Sequence, residues 1–289
     1  MGSGAYSYYD RALRSHDMGY TTKSPTEIFK QRSVNNAMDP NGVEIRESRD
    51  SEEHPLSLAL FLALDVTGSM GSIPHYLVKE GLPEIMKGIM DSGINDTQVL
   101  FTGIGDHECD RSPLQIGQFE SSDKLLDHWL TSLWIESGGG GNAGESYLLA
   151  WYFAWKHTSI DCFEKRGQKG ILITIGDEPT LKCLPKRSLE NIMGPGQCET
   201  YEDVFLLDKA REKYEVYHIH MKQGTNGRRQ SVMDGWMQLI GKDNLIIIEK
   251  KEDVVQSIIN VVNKSISNNI VEVNKIKNDI KENNDDMIL

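Results

Sequence analysis

Oxygen-bearing side chains follow two strongly apolar segments of the sequence at short, regular spacing. The run LSLALFLAL is followed by Asp65, Thr67 and Ser69, and alternate positions let these side chains point to the same side of a tight loop. A second run, GILITIG, is followed directly by Asp177. The glycine-rich stretch SGGGGNAGES adds an amide and a carboxylate at the start of a helical segment. The candidate metal ligands are Asp65, Thr67, Ser69, Asn142, Glu145 and Asp177.

The chemistry that such a set supports is the binding of a hard divalent cation. Hydroxyl, amide and carboxylate oxygens without nitrogen or sulfur partners favour Mg²⁺ first, with Mn²⁺ and Ca²⁺ as further candidates. Mg²⁺ takes an octahedron of oxygen ligands and gives up water reluctantly, so a site with few direct carboxylates keeps coordination positions open. An open position can accept a ligand from another molecule.

Other segments carry groups that could support this site or chemistry of their own. The segment GDHECD places Asp106 and His107 after a predicted strand, where we expect them to hydrogen-bond around the cation site. His218 and His220 alternate along another predicted strand and are interpreted as buried histidines, with a zinc site as the alternative. Trp134, just before the glycine-rich stretch, is a candidate exposed contact for a partner.

The elements that must position these residues alternate along the chain. Short apolar runs typical of fully buried strands are separated by segments whose apolar residues recur every three or four positions. Strands separated by helices pair in parallel, so the sequence predicts an α/β fold: a doubly wound, mostly parallel sheet with helices on both faces. Ligands of such sheets bind beyond the carboxyl ends of the strands. The predicted strands are 56–65, 98–106, 113–119, 170–177, 214–221 and 244–249, and the predicted helical segments are 75–90, 121–133, 145–157, 200–213, 231–240 and 252–265.

Changes in composition divide the chain into three parts. Residues 1–54 are polar and tyrosine-rich, then charged, and are predicted to form an arm that packs on the body or on a partner. Residues 55–266 form the predicted α/β domain, and residues 267–289 form a polar tail, either a short helix or a frayed end. The arm and the tail are candidates for self-association.

The charge balance excludes several classes of function. The chain has 289 residues, with 31 Lys and Arg against 43 Asp and Glu, which gives a net charge of −12. Such a chain is not expected to bind nucleic acid or anionic membranes. Its longest apolar run is far shorter than the ~20 residues of a membrane-spanning helix. The amino terminus has no apolar leader pattern and the four cysteines are scattered, so we expect a cytoplasmic protein.

These residues carry a family resemblance. The segment Asp65-x-Thr67-x-Ser69 after a buried strand resembles the D-x-S-x-S loop of the metal-ion-dependent adhesion site in von Willebrand factor type A domains. Asp177 in TIGDEPT falls where that family has its last metal-associated aspartate. GGGGNAGES resembles the G-G-G-D-x-P-E stretch of the bacterial and alpha-kinase-associated branch, which aligns Asn142 with the aspartate and Glu145 with the glutamate. The resemblance covers about residues 56–266 and implies the family's Rossmann-like fold.

The resemblance implies divalent-cation-dependent protein binding rather than catalysis. In that family an acidic residue of the partner completes the metal's coordination, and typical partners in bacteria are ring-forming AAA-class ATPases or subunits of larger assemblies. This sequence departs from the pattern in three ways. Thr67 replaces the usual serine, Asn142 replaces an aspartate and removes a negative charge, and the second-loop threonine of integrin-type domains has no clear counterpart.

Two other functions fit the same residues. The first is a metal-dependent hydrolase or phosphotransferase, which needs two metal ions or one metal ion and a general base. The second is a purely structural assembly protein in which the site is vestigial. The hydrolase hypothesis would build its active site from Asp65, Asp106, His107, Glu145 and Asp177.

Overall fold

A computed structural model describes residues 4–68, 70, 72–136, 144–196 and 199–267 of the chain. Two predicted ligands, Ser69 and Asn142, lie outside the described residues, as does the predicted tail from residue 268 onward. The strands are β1 (Arg46–Ser48), β2 (Leu58–Asp65), β3 (Thr97–Ile104), β4 (Leu114–Ile116), β5 (Thr158–Ile160), β6 (Gly170–Gly176), β7 (Cys183–Leu184), β8 (Tyr201–Glu202), β9 (Tyr214–Met221) and β10 (Leu245–Ile248). The helices are α1 (Tyr8–Met18), α2 (Pro25–Ile28), α3 (Ser72–Tyr76), α4 (Leu82–Asp91), α5 (Asp123–Thr131), α6 (Leu148–Lys156), α7 (Asp161–Glu164), α8 (Lys186–Met193), α9 (Asp203–Lys213), α10 (Gln230–Ile240) and α11 (253–267).

The body of the protein is a six-stranded, mostly parallel sheet. Its strand order is β10-β9-β6-β2-β3-β4, so the chain enters at β2, adds β3 and β4 on one side, and then adds β6, β9 and β10 on the other. Helices cover both faces of the sheet. The predicted α/β class with a mostly parallel central sheet flanked by helices is confirmed, and the topology is compatible with a Rossmann-like fold.

Strand β2 is buried along its whole length because it supplies both cores. Leu58, Leu60, Leu62 and Leu64 pack in the core that contains α4 and α11. The intervening residues Ala59, Phe61 and Ala63 pack in the core that contains α6, α9 and α10. This alternation follows from the two-residue period of a strand, and truncating one of the buried leucines to alanine costs about 2–5 kcal/mol.

The outermost strand on one side is antiparallel. Strand β4 pairs with β3 through Thr102↔Ile116 and Ile104↔Leu114, because the connection between them contains no helix and the chain turns straight back. The strand expected over 113–119 is therefore shorter than predicted. The helix expected over 75–90 begins at Ser72 and is interrupted by a wider turn at Leu77–Gly81 before α4.

The amino-terminal arm packs on the body and contains regular structure. Helix α1 inserts Arg11 between α5 and the backbone of the 77–81 turn: its guanidinium pairs with Asp127 at 3.0 Å and donates to the carbonyl of Val78. Tyr20 donates to the same Asp127 at 2.8 Å. Buried Arg11 therefore ties the arm to the helical layer, an interaction that the polar composition of the arm does not reveal. No helix among the described residues combines the length and apolarity that a membrane span requires.

A second contact fixes the end of the arm. Strand β1 pairs in parallel with β5, and the carboxylate of Asp161 accepts bonds from Arg49 at 2.8 Å, Lys165 at 2.7 Å and the backbone of Asp50 at 2.8 Å. Burial opposes ionisation of Asp161, but Lys165, the Asp50 amide and Arg49 outweigh it and lower its pKa to about 2.

We expect this carboxylate to make the protein sensitive to acid. Because the pKa of Asp161 is about 2 in the folded protein and 3.8 without the fold, its stabilisation is complete above pH 4 and is lost as the pH falls toward 2. Asp161→Asn should lower the free energy of unfolding at neutral pH by about 1–3 kcal/mol and flatten its fall in that acid range. Urea denaturation across this pH range measures both effects. An equally steep decline in the variant would contradict the assignment.

Candidate functional site

The polar residues that follow β2 and β6 lie at one edge of the sheet. Leu64 pairs with Ile175, so Asp65 and Asp177 follow neighbouring strands at almost the same level. Both carboxylates are buried: Asp65 is 1% exposed and Asp177 is 0% exposed. β3 lies on one side of β2 and β6 lies on the other, so the order in which strands are added to the sheet changes direction at β2. Ligands of parallel sheets bind at such a point.

Asp65 is held by three hydrogen bonds. The backbone amide of Thr67 donates to its Oδ1 at 2.9 Å and the Thr67 hydroxyl donates to the same oxygen at 2.6 Å. The hydroxyl of Tyr147 donates to Oδ2 at 3.2 Å. Since Thr67 gives its proton to Asp65, the lone pairs of its hydroxyl oxygen are left for another ligand.

Burial raises the pKa of Asp65 to about 7, against the effect of its hydrogen bonds. The bonds from Thr67 lower this pKa, while the charge of Asp177 raises it. The two aspartates are buried acidic groups on adjacent strands, and the pKa of Asp65 is raised by burial first and then by the charge of Asp177.

Tyr147 is a site residue that the sequence analysis missed. It directly precedes α6, its side chain is fully buried, and its ring contacts His218 and Trp236 edge to face. A β-carbon at Gly176 would lie 1.7 Å from the Tyr147 hydroxyl, so only glycine in β6 leaves room for it. The only signal in the sequence is its position two residues after Glu145, at a place where an aromatic residue also suits a helix core.

Asp177 is held by the loop that follows β9. The backbone amide of Asn226 donates to its Oδ2 at 3.1 Å, and the Asn226 side chain donates to Glu178. A β-carbon at Gly224 would lie 2.0 Å from that Oδ2, which explains how the loop backbone comes so close. The other oxygen of Asp177, Oδ1, is buried without a hydrogen-bond partner among the described residues. Asn226 was also missed, because no pattern distinguishes it within a polar loop.

Glu145 lies against the loop that follows Asp177. Its backbone forms a bridge with Thr180, donating to the carbonyl of Pro179 at 2.9 Å. Its side chain is 7% exposed, and its Oε2 has no hydrogen-bond partner in the described part of the chain. Burial, followed by the charges of Asp65 and Asp110, raises the pKa of Glu145 to about 10. The predicted ligands Asp65, Thr67, Asp177 and Glu145 are therefore neighbours at this edge.

Asp106 and His107 lie beside this group, in the loop after β3. Asp106 accepts from the amide of Glu108 at 2.8 Å, and its own amide donates to Asp110 at 2.7 Å. The amide and Nδ1 of His107 are each 2.8 Å from the hydroxyl of Ser146, the neighbour of Glu145. This contact joins the loop after β3 to the residues just before α6; the supporting role of Asp106 and His107 stays a prediction.

Two other predictions have different outcomes. His218 and His220 are buried; the His218 ring stacks on Trp236 with centroids 3.6 Å apart. Among the described residues, no three or more His, Cys, Asp and Glu side chains form a group that could hold a metal ion. The prediction that Trp134 is an exposed contact is wrong: the residue is 9% exposed, because the Gln115 side chain binds both its amide and its carbonyl.

The space between Gly176 and Tyr147 gives a direct test of this geometry. Gly176→Ala should displace the Tyr147 hydroxyl from Asp65 and lower the free energy of unfolding by about 1–3 kcal/mol. Because that hydrogen bond lowers the pKa of Asp65, its loss should also raise this pKa, which carboxyl NMR titration measures. Gly235→Ala is the matched control: its β-carbon meets nothing within 4 Å and it lies in α10, so it should stabilise the protein by about 0.5–1 kcal/mol. Equal effects of the two substitutions would contradict the steric role of Gly176.

Comparisons with known proteins identify no family. No family model matches the sequence, and no curated protein matches it. The fold is similar to the pilus adhesin SpaC from Lactobacillus rhamnosus GG in its open conformation, with 12% sequence identity and a TM-score of 0.47 over 76% of this chain and 31% of the adhesin. A second structure of SpaC gives 12% identity and a TM-score of 0.46 over 76% and 32% of the two chains. The chain thus spans about a third of the adhesin's length, and the likeness assigns neither family nor function.

Proposed function

We propose that the chain is a divalent-cation-dependent protein-binding module of the von Willebrand factor type A kind. The observation that carries this proposal is a pair of buried carboxylate oxygens, Asp177 Oδ1 and Glu145 Oε2, that no hydrogen-bond donor among the described residues satisfies. Buried carboxylates left without partners cost free energy unless they are protonated or neutralised by a cation. A bound divalent cation removes that cost.

The charges around these oxygens oppose ionisation of the carboxyl groups unless a cation binds. Burial and mutual repulsion raise the pKa of Asp65 to about 7 and that of Glu145 to about 10, so the metal-free site holds carboxyl groups that resist ionisation. A divalent cation offsets desolvation and repulsion for all of the carboxylates together, whereas each proton neutralises only one. Asp65, Thr67, Asp177 and Glu145 would hold the ion after moving closer together, because no three acidic side chains of the described part of the chain already form a group that could hold a metal ion. Ser69 and Asn142 remain predicted ligands.

The donor set favours Mg²⁺ and binding rather than catalysis. Hydroxyl and carboxylate oxygens suit Mg²⁺, with Mn²⁺ or Ca²⁺ as substitutes. When bound, the ion supplies positive charge and an open coordination position, which an acidic residue of a protein partner would fill. We propose no catalytic residue, since the first loop offers hydroxyls where two-metal hydrolases use bridging carboxylates.

The wider setting is part of the same proposal. An AAA-class ATPase or a subunit of a multiprotein assembly is the proposed partner, on the resemblance of the three loops to that family. Cys109, Cys162 and Cys183 are free thiols, which suits the reducing environment of the cytoplasm. Self-association through the arm or the tail stays a prediction.

Titration calorimetry of EDTA-treated protein tests the site. The wild-type protein should bind one Mg²⁺, and saturation to about 100 times the dissociation constant should raise the free energy of unfolding by ~2.7 kcal/mol. Glu145→Gln and Asp177→Asn should abolish both effects. In EDTA the same variants should be at least as stable as the wild type, because an amide cannot take up the charge that burial disfavours at these positions. That combination distinguishes a binding site from a structural cluster.

Asp91→Asn is the control for loss of an acidic residue. Asp91 ends α4 and its exposed carboxylate pairs with Lys87, away from the candidate site, so this variant should bind Mg²⁺ normally. If wild-type protein neither binds Mg²⁺ or Mn²⁺ at millimolar concentration nor gains stability from them, the proposed function is wrong. Binding of two ions would instead favour the hydrolase, and phosphoester substrates should then be screened.

A further inference from the structure

A groove runs beside the candidate metal site. It consists of two adjoining cavities of about 970 Å³ and 390 Å³ that share Asp110 and Arg111 in the loop between β3 and β4. The larger cavity lies between the arm segment 25–32 and residues 134–136, and the smaller one continues past His107 to the arm segment 39–41. The arm therefore forms one side of the groove, and loops from the carboxyl edge of the sheet form the other.

The loops that line the groove contact the segments that carry the candidate metal ligands. Asp110 accepts a hydrogen bond from the amide of Asp106, and its charge raises the pKa of Glu145. His107, which lines the smaller cavity, is bonded to Ser146. At the other end, the amide of Glu136 donates to the carbonyl of Val66 at 3.2 Å, next to Thr67. A ligand in the groove would therefore contact loops that are hydrogen-bonded to the segments of the metal site.

Unpaired cations line this groove in a strongly acidic protein. Lys30 and Arg32 project from the arm and Arg111 from the loop, and all three are exposed. None of them forms an ion pair within the described part of the chain. The larger cavity also contains two half-buried carboxylates, Asp110 and Glu136, and the smaller one contains the exposed Asp39. Burial raises the pKa of Asp110 and of Glu136, and the charge of Arg111 lowers that of Glu136.

The groove has a fixed apolar lining. Phe29 and Trp134 contribute largely buried rings, and Gln115 binds both backbone groups of Trp134, at 2.8 Å and 2.9 Å. The arm segment is also anchored, because the carbonyl of Lys23 contacts His75 Nε2 at 3.1 Å. A preformed groove binds an extended chain with little loss of its own conformational entropy.

We propose that this groove binds an extended acidic segment of the protein partner. Carboxylates of the segment pair with Lys30, Arg32 and Arg111, while a further carboxylate of the same segment reaches the metal site. The inference rests on the proposed function, and it assigns the amino-terminal arm a role in recognition. Charge complementarity carries it: the three cations are exposed and form no ion pair in the described part of the chain, and they outnumber the one exposed carboxylate of the lining, Asp39.

Fluorescence anisotropy with two short peptides tests the proposal. A fluorescein-labelled polyglutamate peptide should bind the full-length protein, more tightly with Mg²⁺ than with EDTA, and its polyglutamine counterpart should not bind. The triple variant Lys30→Gln, Arg32→Gln and Arg111→Gln should bind polyglutamate about tenfold more weakly. Its Mg²⁺ binding by calorimetry should be unchanged, since none of the three residues belongs to the metal site.

The matched control removes three cations elsewhere. The control residues lie in or just after α4, α6 and α10, which lead back to the opposite edge of the sheet: Lys87, Lys156 and Lys242. Changing all three to glutamine should leave peptide affinity within about twofold of wild type. If the groove variant binds Mg²⁺ normally and its affinity for polyglutamate is unchanged, the proposed role of the groove is wrong and the proposed metal site is not affected. Groove-dependent peptide binding in a protein that binds no Mg²⁺ would instead overturn the proposed function and the link to the metal, leaving acidic recognition by the arm.

Discussion

The burial of Asp65 at the end of the central strand is the constraint on which the rest of the site depends. β2 must be apolar on both sides to supply two cores, and it ends in a carboxylate that is 1% exposed. Such a group is tolerated only when donors surround it, and here Thr67 and Tyr147 provide them. Those hydrogen bonds satisfy Asp65 but leave its neighbours Asp177 and Glu145 short of donors among the described residues. The buried acidic edge therefore lowers the stability of the fold at the place that is proposed to bind a cation.

Close approach of backbone and side chain makes this crowding feasible. Gly176 admits the Tyr147 hydroxyl to Asp65, and Gly224 lets the loop after β9 reach Asp177. Each glycine sits opposite a carboxylate, so a side chain at either position would separate the groups that the sheet brings together. The polar edge is thus built by several loops on a scaffold of parallel strands that fixes their spacing. The His107 amide ties the loop after β3 to Ser146, and the Asn226 amide ties the loop after β9 to Asp177.

The sequence was informative where periodicity and parallel pairing decide the outcome. Residues after buried parallel strands must meet at one edge, so Asp65, Thr67 and Asp177 could be grouped without a structure. Tyr147 could not, because an aromatic residue beside a helix suits a core as well as a hydrogen bond to a carboxylate. The antiparallel pairing of β4 and the burial of Arg11 were not predicted for a related reason. Each depends on a tertiary partner: the turn after β3 for β4, and Asp127 for Arg11. Ser69 and Asn142 lie outside the described residues, so their predicted roles rest on the sequence pattern.

Two opposite electrostatic environments lie side by side on this molecule. At the sheet edge, carboxylates are crowded and buried, and a cation would relieve them. Along the arm, Lys30 and Arg32 are exposed and form no ion pair among the described residues, so an anion would suit them. In the described part of the chain no ion pair joins these cations to the buried carboxylates, although the loop carrying Asp110 and Arg111 adjoins both groups. Because the opposite charges do not neutralise each other, both remain available for binding. This arrangement is expected if a metal ion binds the carboxylates and an acidic chain binds the cations.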